Sequence, residues 1–84
     1  MRYRIRFTRQ ASKDVRKLTP KLRMKLKDIL RNRLAVDPHS GKALVGDLKG
    51  YYSVRLTIKD RIVYCIHDDE LVVLVVRAKT HYGE

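Results

Sequence analysis

Cations, phenols and an imidazole gather in the second half of this 84-residue chain: Arg55, Arg61, Arg77, Lys79, His81, Tyr51 and Tyr82. The set suits RNA cleavage without a metal ion. A ribose 2′-hydroxyl can attack its own neighbouring phosphate. The protein must then hold the backbone in line, neutralise the growing phosphorane charge and move two protons. Arginine meets the second need, being bidentate and always charged. Histidine moves protons near neutral pH, and aromatic rings stack splayed bases. Each residue also has a plainer use. Arg55 and Arg61 can lie on a strand surface and pair with Asp60, Asp68 or Asp69. His39 reads as a loop residue, His67 as a turn residue, and Tyr64 and Cys65 as packing. The three histidines, one cysteine and scattered acids lack metal-ligand spacing. No Gly-rich phosphate loop precedes a helix. No serine has a convincing base and orienting acid nearby.

The element that would carry these groups is the run Leu71-Val72-Val73-Leu74-Val75-Val76, valine at four of six positions. It has strand length and suits the middle of a sheet, buried on both faces. If the strand continues, Arg77, Lys79 and His81 fall on one face, in the row of Val73 and Val75. Upstream, Tyr52, Val54, Leu56 and Ile58 alternate with Tyr51, Ser53, Arg55 and Thr57. Lys59-Asp60 reads as a short turn, 61–67 as the next strand, and Asp68-Asp69-Glu70 as the turn into the last. One register of that hairpin brings Arg55 and Arg61 to the same open face.

In the first half, Tyr3, Ile5 and Phe7 alternate with Arg2, Arg4 and Arg6, a half-buried strand with an arginine face. Thr8 can cap the next element. Ala11, Val15 and Leu18 give one stripe of a helix over 9–18. Thr19-Pro20 stops it and starts another, whose stripe is Leu22, Leu26, Ile29, Leu30 and Leu34, ending near Ala35. Asp37 to Gly41 is a loop, 42–45 a short edge strand, and Gly46 and Gly50 bracket a turn. The expectation is a single α+β domain over 1–84. Two N-terminal helices pack on one face of a small, mostly antiparallel sheet in βααβββ order.

The formal charge is +11. Residues 1–35 hold thirteen Lys and Arg against Asp14 and Asp28, while the remainder balances seven to seven. Such a one-sided excess fits a polyanionic partner, nucleic acid first and an acidic protein second. Lys21, Lys25 and Arg31 on the second helix, and Lys42, Lys49 and Tyr51 near the turns, are candidate RNA contacts. Cys65 is alone, so no internal disulfide is expected and a reducing compartment is the natural setting. No uncharged run reaches the roughly 18 residues of a membrane span. The expected location is the cytoplasm, with no membrane partner.

Three stretches carry a family resemblance: Leu48-Lys49-Gly50-Tyr51-Tyr52-Ser53-Val54-Arg55-Leu56, Arg61-Ile62-Val63-Tyr64, and Asp68 through Val76. With the His81-Tyr82 end, and in this order, they resemble the RelE/YoeB toxins of bacterial toxin–antitoxin pairs. The resemblance implies a βααβββ-type domain and a ribosome-dependent endonuclease that cuts mRNA at the decoding site and halts translation. It implies no cofactor. Its implied partners are the ribosome with its RNA, mRNA and a cognate antitoxin. Arg61 falls on a catalytic arginine, His81-Tyr82 on a closing pair acting at the site, and Arg55 on a catalytic lysine of RelE. Lys79 would add positive charge, and Arg77 would contact RNA. Two positions depart from the pattern: Lys42 or a neighbour stands where YoeB supplies a glutamate base, and Ser53 where RelE has another strand lysine. The alternative implied by the superfamily is a ParE-like inhibitor that binds DNA gyrase and cuts nothing.

Overall fold

The computed structural model describes residues 2–78. Lys79, His81 and Tyr82, three of the expected site residues, therefore lie outside the described residues. The chain runs β1 (Arg4–Phe7), α1 (Arg9–Lys17), α2 (Pro20–Ile29), β2 (Lys42–Ala43), β3 (Tyr51–Arg55), β4 (Arg61–His67) and β5 (Val72–Arg77). The strands form one sheet in the order β1-β5-β4-β3-β2. β2, β3, β4 and β5 are successively antiparallel, whereas β1 runs parallel to β5. The sheet is thus mixed, not simply antiparallel at its first strand. The helical hairpin carries the chain across one face and returns it, so β1 and β5 can point the same way.

β5 lies between β1 and β4, which explains its aliphatic run. Val72, Val73 and Val75 are buried. The helices cover the face bearing Val54, Ile62, Tyr64, Val73 and Val75, and Ala11, Leu18, Leu26, Leu30 and Leu34 fill the space between. Each buried valine, leucine or isoleucine among them contributes about 1.5–3 kcal/mol by leaving water. Thr8 starts α1 by accepting from the Ala11 N–H at 3.1 Å, and its own hydroxyl donates to the Val76 carbonyl at 3.0 Å. Thr19 caps α2 and Pro20 fills the first turn, where a missing N–H costs nothing.

Two expected boundaries move. The second helix does not stay α to Ala35: Leu30–Leu34 form a π turn, closed by the Ala35 N–H on the Leu30 carbonyl at 2.8 Å. The wider turn keeps Leu30, Leu34 and Ala35 buried while Arg31, Asn32 and Arg33 stay outside. The edge strand is two residues long, because the chain turns at Val45, which is 83% exposed, and at Gly46 (φ 67°). Among the described residues no helix is long and apolar enough to cross a membrane.

Candidate functional site

β3 ends at Arg55, earlier than the alternation predicted. Thr57 and Asp60 fold the chain instead. The Thr57 hydroxyl oxygen accepts from the Asp60 N–H at 2.9 Å and the Lys59 N–H at 3.1 Å, and the Leu56 and Thr57 N–H groups donate to the Asp60 carbonyl. Leu56 is thereby sunk into the core and Ile58 left 92% exposed at the tip, outside the apolar row expected of it. This five-residue connection makes Arg55 and Arg61 direct cross-strand partners.

Residues paired across a sheet share a face. Val54 and Ile62 face the helices, so Arg55 and Arg61 face the other way. The same register places Ser53 opposite Val63 and Lys42 opposite Ser53. The open face thus carries Lys42, Ser53, Arg55 and Arg61 as neighbours. Like charges directly opposed repel, and among the described residues no carboxylate pairs with either arginine. Asp60 is turned to the Thr57 hydroxyl, and Asp68 to the Tyr3 hydroxyl (2.6 Å) and His39 (3.1 Å). Tyr3 and His39 hold the Asp68 carboxyl below its ordinary range, and Asp68 pushes the Tyr3 phenol up.

Arg77 behaves differently. It continues the row of Val73 and Val75 and turns to the helices. Its Nε donates to Asp14 Oδ2 at 2.8 Å, its second nitrogen reaches Oδ1 at 3.4 Å, and the Ala78 N–H reaches Oδ2 at 3.1 Å. Asp14 is 3% exposed. Burial alone would raise its pKa, but the bonds from Arg77, Ala78 and Gln10 outweigh it and hold the carboxyl below the usual range. Sequence reading counted Asp14 only as a charge. The signal was its place between Ala11 and Leu18, three and four residues away on the apolar stripe.

A third cluster fastens β2. Tyr64 sits in the core, stacked on Tyr52 with ring centroids 5.7 Å apart, and its hydroxyl donates to the Pro38 carbonyl at 2.6 Å. Burial pushes its pKa up to about 12. Arg33 clamps Ser40 through two bonds of 3.0 Å, to its hydroxyl and its carbonyl. Gly41 passes so close to the Tyr64 hydroxyl that a side chain there would collide with it. The chain therefore enters β2 on a fixed path and delivers Lys42 to the open face.

The other candidates divide by side. Lys49 and Tyr51 line one hollow of about 430 Å³ with Ala43 to Gly46, beside β2. Lys21, Lys25 and Arg31 are exposed on the helical side. There, β1 and α2 leave a groove of about 630 Å³ with Ile5, Phe7, Met24 and Leu30 as floor, and Arg23, Lys27 and Arg31 among its lining. Cys65 lies 3.7 Å from His67, and partial burial raises the thiol's pKa. Among the described residues no three His, Cys, Asp or Glu side chains gather to hold a metal ion.

Residues 7–82 match the family of YoeB-like toxins of bacterial type II toxin–antitoxin systems. A toxin YoeB of Streptomyces coelicolor is 39% identical over 71 residues, spanning 80% of this chain and 76% of that protein. Among solved structures, the toxin–antitoxin complex RelBE2 of Mycobacterium tuberculosis superposes with a TM-score of 0.85 at 29% identity, over 96% of this chain and all of that one. A YoeB/ParE toxin from Agrobacterium tumefaciens gives 0.84 at 26% identity, over 94% and 99% of the two chains. Fold and sequence together define the class, a RelE-like α+β toxin of the type II systems. Within that class the chain belongs to the YoeB-like family.

Proposed function

We propose that the protein is a ribosome-dependent endoribonuclease that cuts mRNA at the decoding site without a metal ion and so stops translation. The observation that carries this reading is the pair Arg55 and Arg61, opposed across β3 and β4 on the open face with no carboxylate paired to either among the described residues. Two guanidinium groups held side by side repel each other until an anion arrives. A phosphodiester supplies that anion, and its charge grows in the transition state.

In the proposed reaction the 2′-oxygen bonds to the adjacent phosphorus as the bond to the 5′-oxygen breaks. The 2′-proton passes to the protein, and the departing 5′-oxygen receives one. The products are a 2′,3′-cyclic phosphate and a 5′-hydroxyl. Arg61 binds the phosphorane oxygens, and Arg55 and Lys79 add positive charge. His81 transfers the proton, with Tyr82 shaping the site or sharing that transfer. Lys42, Lys49 and Tyr51 hold the flanking nucleotides. Lys21, Lys25 and Arg31, on the opposite side of the sheet, dock ribosomal RNA. Arg77 has its Asp14 contact as a first task and is also counted among the RNA contacts. A cognate antitoxin completes the system. The groove beside β1, apolar in its floor and cationic in its lining, suits an acidic amphipathic segment of such a partner.

A reconstituted translation reaction with primer extension on the message tests the reading. The expected result is discrete cleavage in the decoding site that Arg61→Ala or His81→Ala abolishes. Intact message with arrested DNA supercoiling would replace it with the gyrase-inhibitor reading. Reversing Lys21, Lys25 and Arg31 to glutamate should weaken ribosome binding and flatten its salt dependence. An unchanged affinity would remove the helical face from the interface.

A further inference from the structure

Ser53 is the polar residue at the centre of the open face, and nothing so far accounts for it. It is 3% exposed. Its neighbours on β3, Tyr52 and Val54, belong to the core side, so its own side chain faces away from the helices. A residue buried there by packing alone would be expected to be apolar, as its partner Val63 is. The Ser53 hydroxyl makes no hydrogen bond among the described residues. No buried side-chain polar atom of those residues lacks a partner, so this unbonded hydroxyl is one that solvent still reaches. A solvent-reached, unpartnered hydroxyl in a nearly enclosed position points at whatever occupies the face above it.

The surroundings specify what that is. Lys42 is its cross-strand partner on β2, roughly 5 Å away across the sheet. Arg55 stands two residues along β3, roughly 7 Å distant. Arg61 is the diagonal neighbour on β4, roughly 7–8 Å away. Three long cations thus rise around one short donor. An anion drawn to their charged ends sits above the serine, and the small side chain lets it come down to the sheet. A lysine or arginine in place of Ser53 would fill that space, whereas an alanine would leave it without a donor.

We infer that Ser53 is a substrate-contacting residue whose hydroxyl donates a hydrogen bond to a non-bridging oxygen of the scissile phosphate. The inference rests on the nuclease reading above and deepens it. The arginines supply charge over a range of positions, and the fixed serine at the floor selects one. The hydroxyl transfers no proton; it orients the phosphate for in-line attack, and its bond strengthens as the phosphorane oxygens gain charge.

The test is single-turnover cleavage of mRNA on programmed ribosomes at saturating toxin, with wild type, Ser53→Ala and Ser53→Thr, after thermal melts show equal folding. A hydrogen bond to a charged group is worth roughly a ten- to hundredfold rate loss when removed. Ser53→Ala should show that loss and Ser53→Thr should recover most of it. A second readout replaces one non-bridging oxygen of the scissile phosphate by sulfur, a poor acceptor. The wild type should be slowed by one diastereomer more than by the other, and Ser53→Ala should lose that difference. Ser53→Ala cutting at the wild-type rate, or keeping the wild-type preference between diastereomers, overturns the inference and leaves the nuclease reading standing. A message left uncut by the wild type overturns both.

Discussion

Arg77 and Arg61 lie on adjacent strands of one sheet, β5 and β4, with opposite fates. Arg77 reaches under the sheet to a carboxylate buried on α1. Arg61 stands on the other face, aligned with a second arginine and given no acid among the described residues. The first arrangement satisfies a charge that folding would otherwise strand. The second leaves charge unsatisfied, which folding alone never favours. Where a small domain keeps two cations in register without a counter-charge, the counter-charge is expected from outside.

The sharpest way to break this contrast is to truncate each arginine and measure both cleavage and stability. Arg61→Ala should cost about 10²–10³-fold in cleavage rate, the scale of losing a pre-aligned transition-state donor. Its urea midpoint should move by no more than about 0.5 kcal/mol equivalent. A large loss of stability would make Arg61 structural and end the comparison. Arg77→Ala should do the reverse, destabilising by about 2–4 kcal/mol because Asp14 is left charged and enclosed. That figure is set below the full buried-pair cost, since the Arg77 side chain is 35% exposed. A wild-type melt would show the pair to be dispensable.

Acid titration refines the same point. The folded Asp14 carboxyl lies below its ordinary value of 3.8. Its contribution is therefore present above that value and is lost as pH falls through the lowered one. The stability gap between wild type and Asp14→Asn should be widest near neutrality and narrow below about pH 4. A gap that stays constant into acid would assign it to packing. The smallest expected effect is at Tyr64. Tyr64→Phe strands the Pro38 carbonyl for about 1 kcal/mol. Because folding raises this phenol from 10.0 to about 12, its contribution holds below pH 10 and fades as pH climbs through 12. Melts of the phenylalanine variant should show a flatter alkaline limb.

Much of the architecture was legible because it is written in periodicity and caps. Thr8, Thr19 and Pro20 mark the helix starts, and the aliphatic run from Leu71 marks the inner strand. What escaped depends on contacts between residues far apart in sequence. The parallel pairing of β1 with β5 has no local signature. The π turn follows from burying Leu34 and Ala35 together. The end of β3 at Arg55 depends on Thr57 and Asp60 closing a turn that alternation alone would run through. Of the candidate site, Arg55, Arg61 and Lys42 come together on one face, around a Ser53 that was not among the expected site residues, while Arg77 turns to the other. Asp14 was readable in principle, since an acid on an apolar stripe demands a partner.

The N-terminal strand has its sheet partner among the last residues the structure describes. Arg4 to Phe7 pair with Val72 to Val75, and Thr8 and Asp14 reach Val76, Arg77 and Ala78. During synthesis the helical hairpin can form early, but its neighbour β1 must wait about seventy residues for a mate. The acid on α1 stays without its guanidinium for the same interval. A growing chain therefore closes this sheet only after β5 has been made, and the translating ribosome faces an unfinished domain until then.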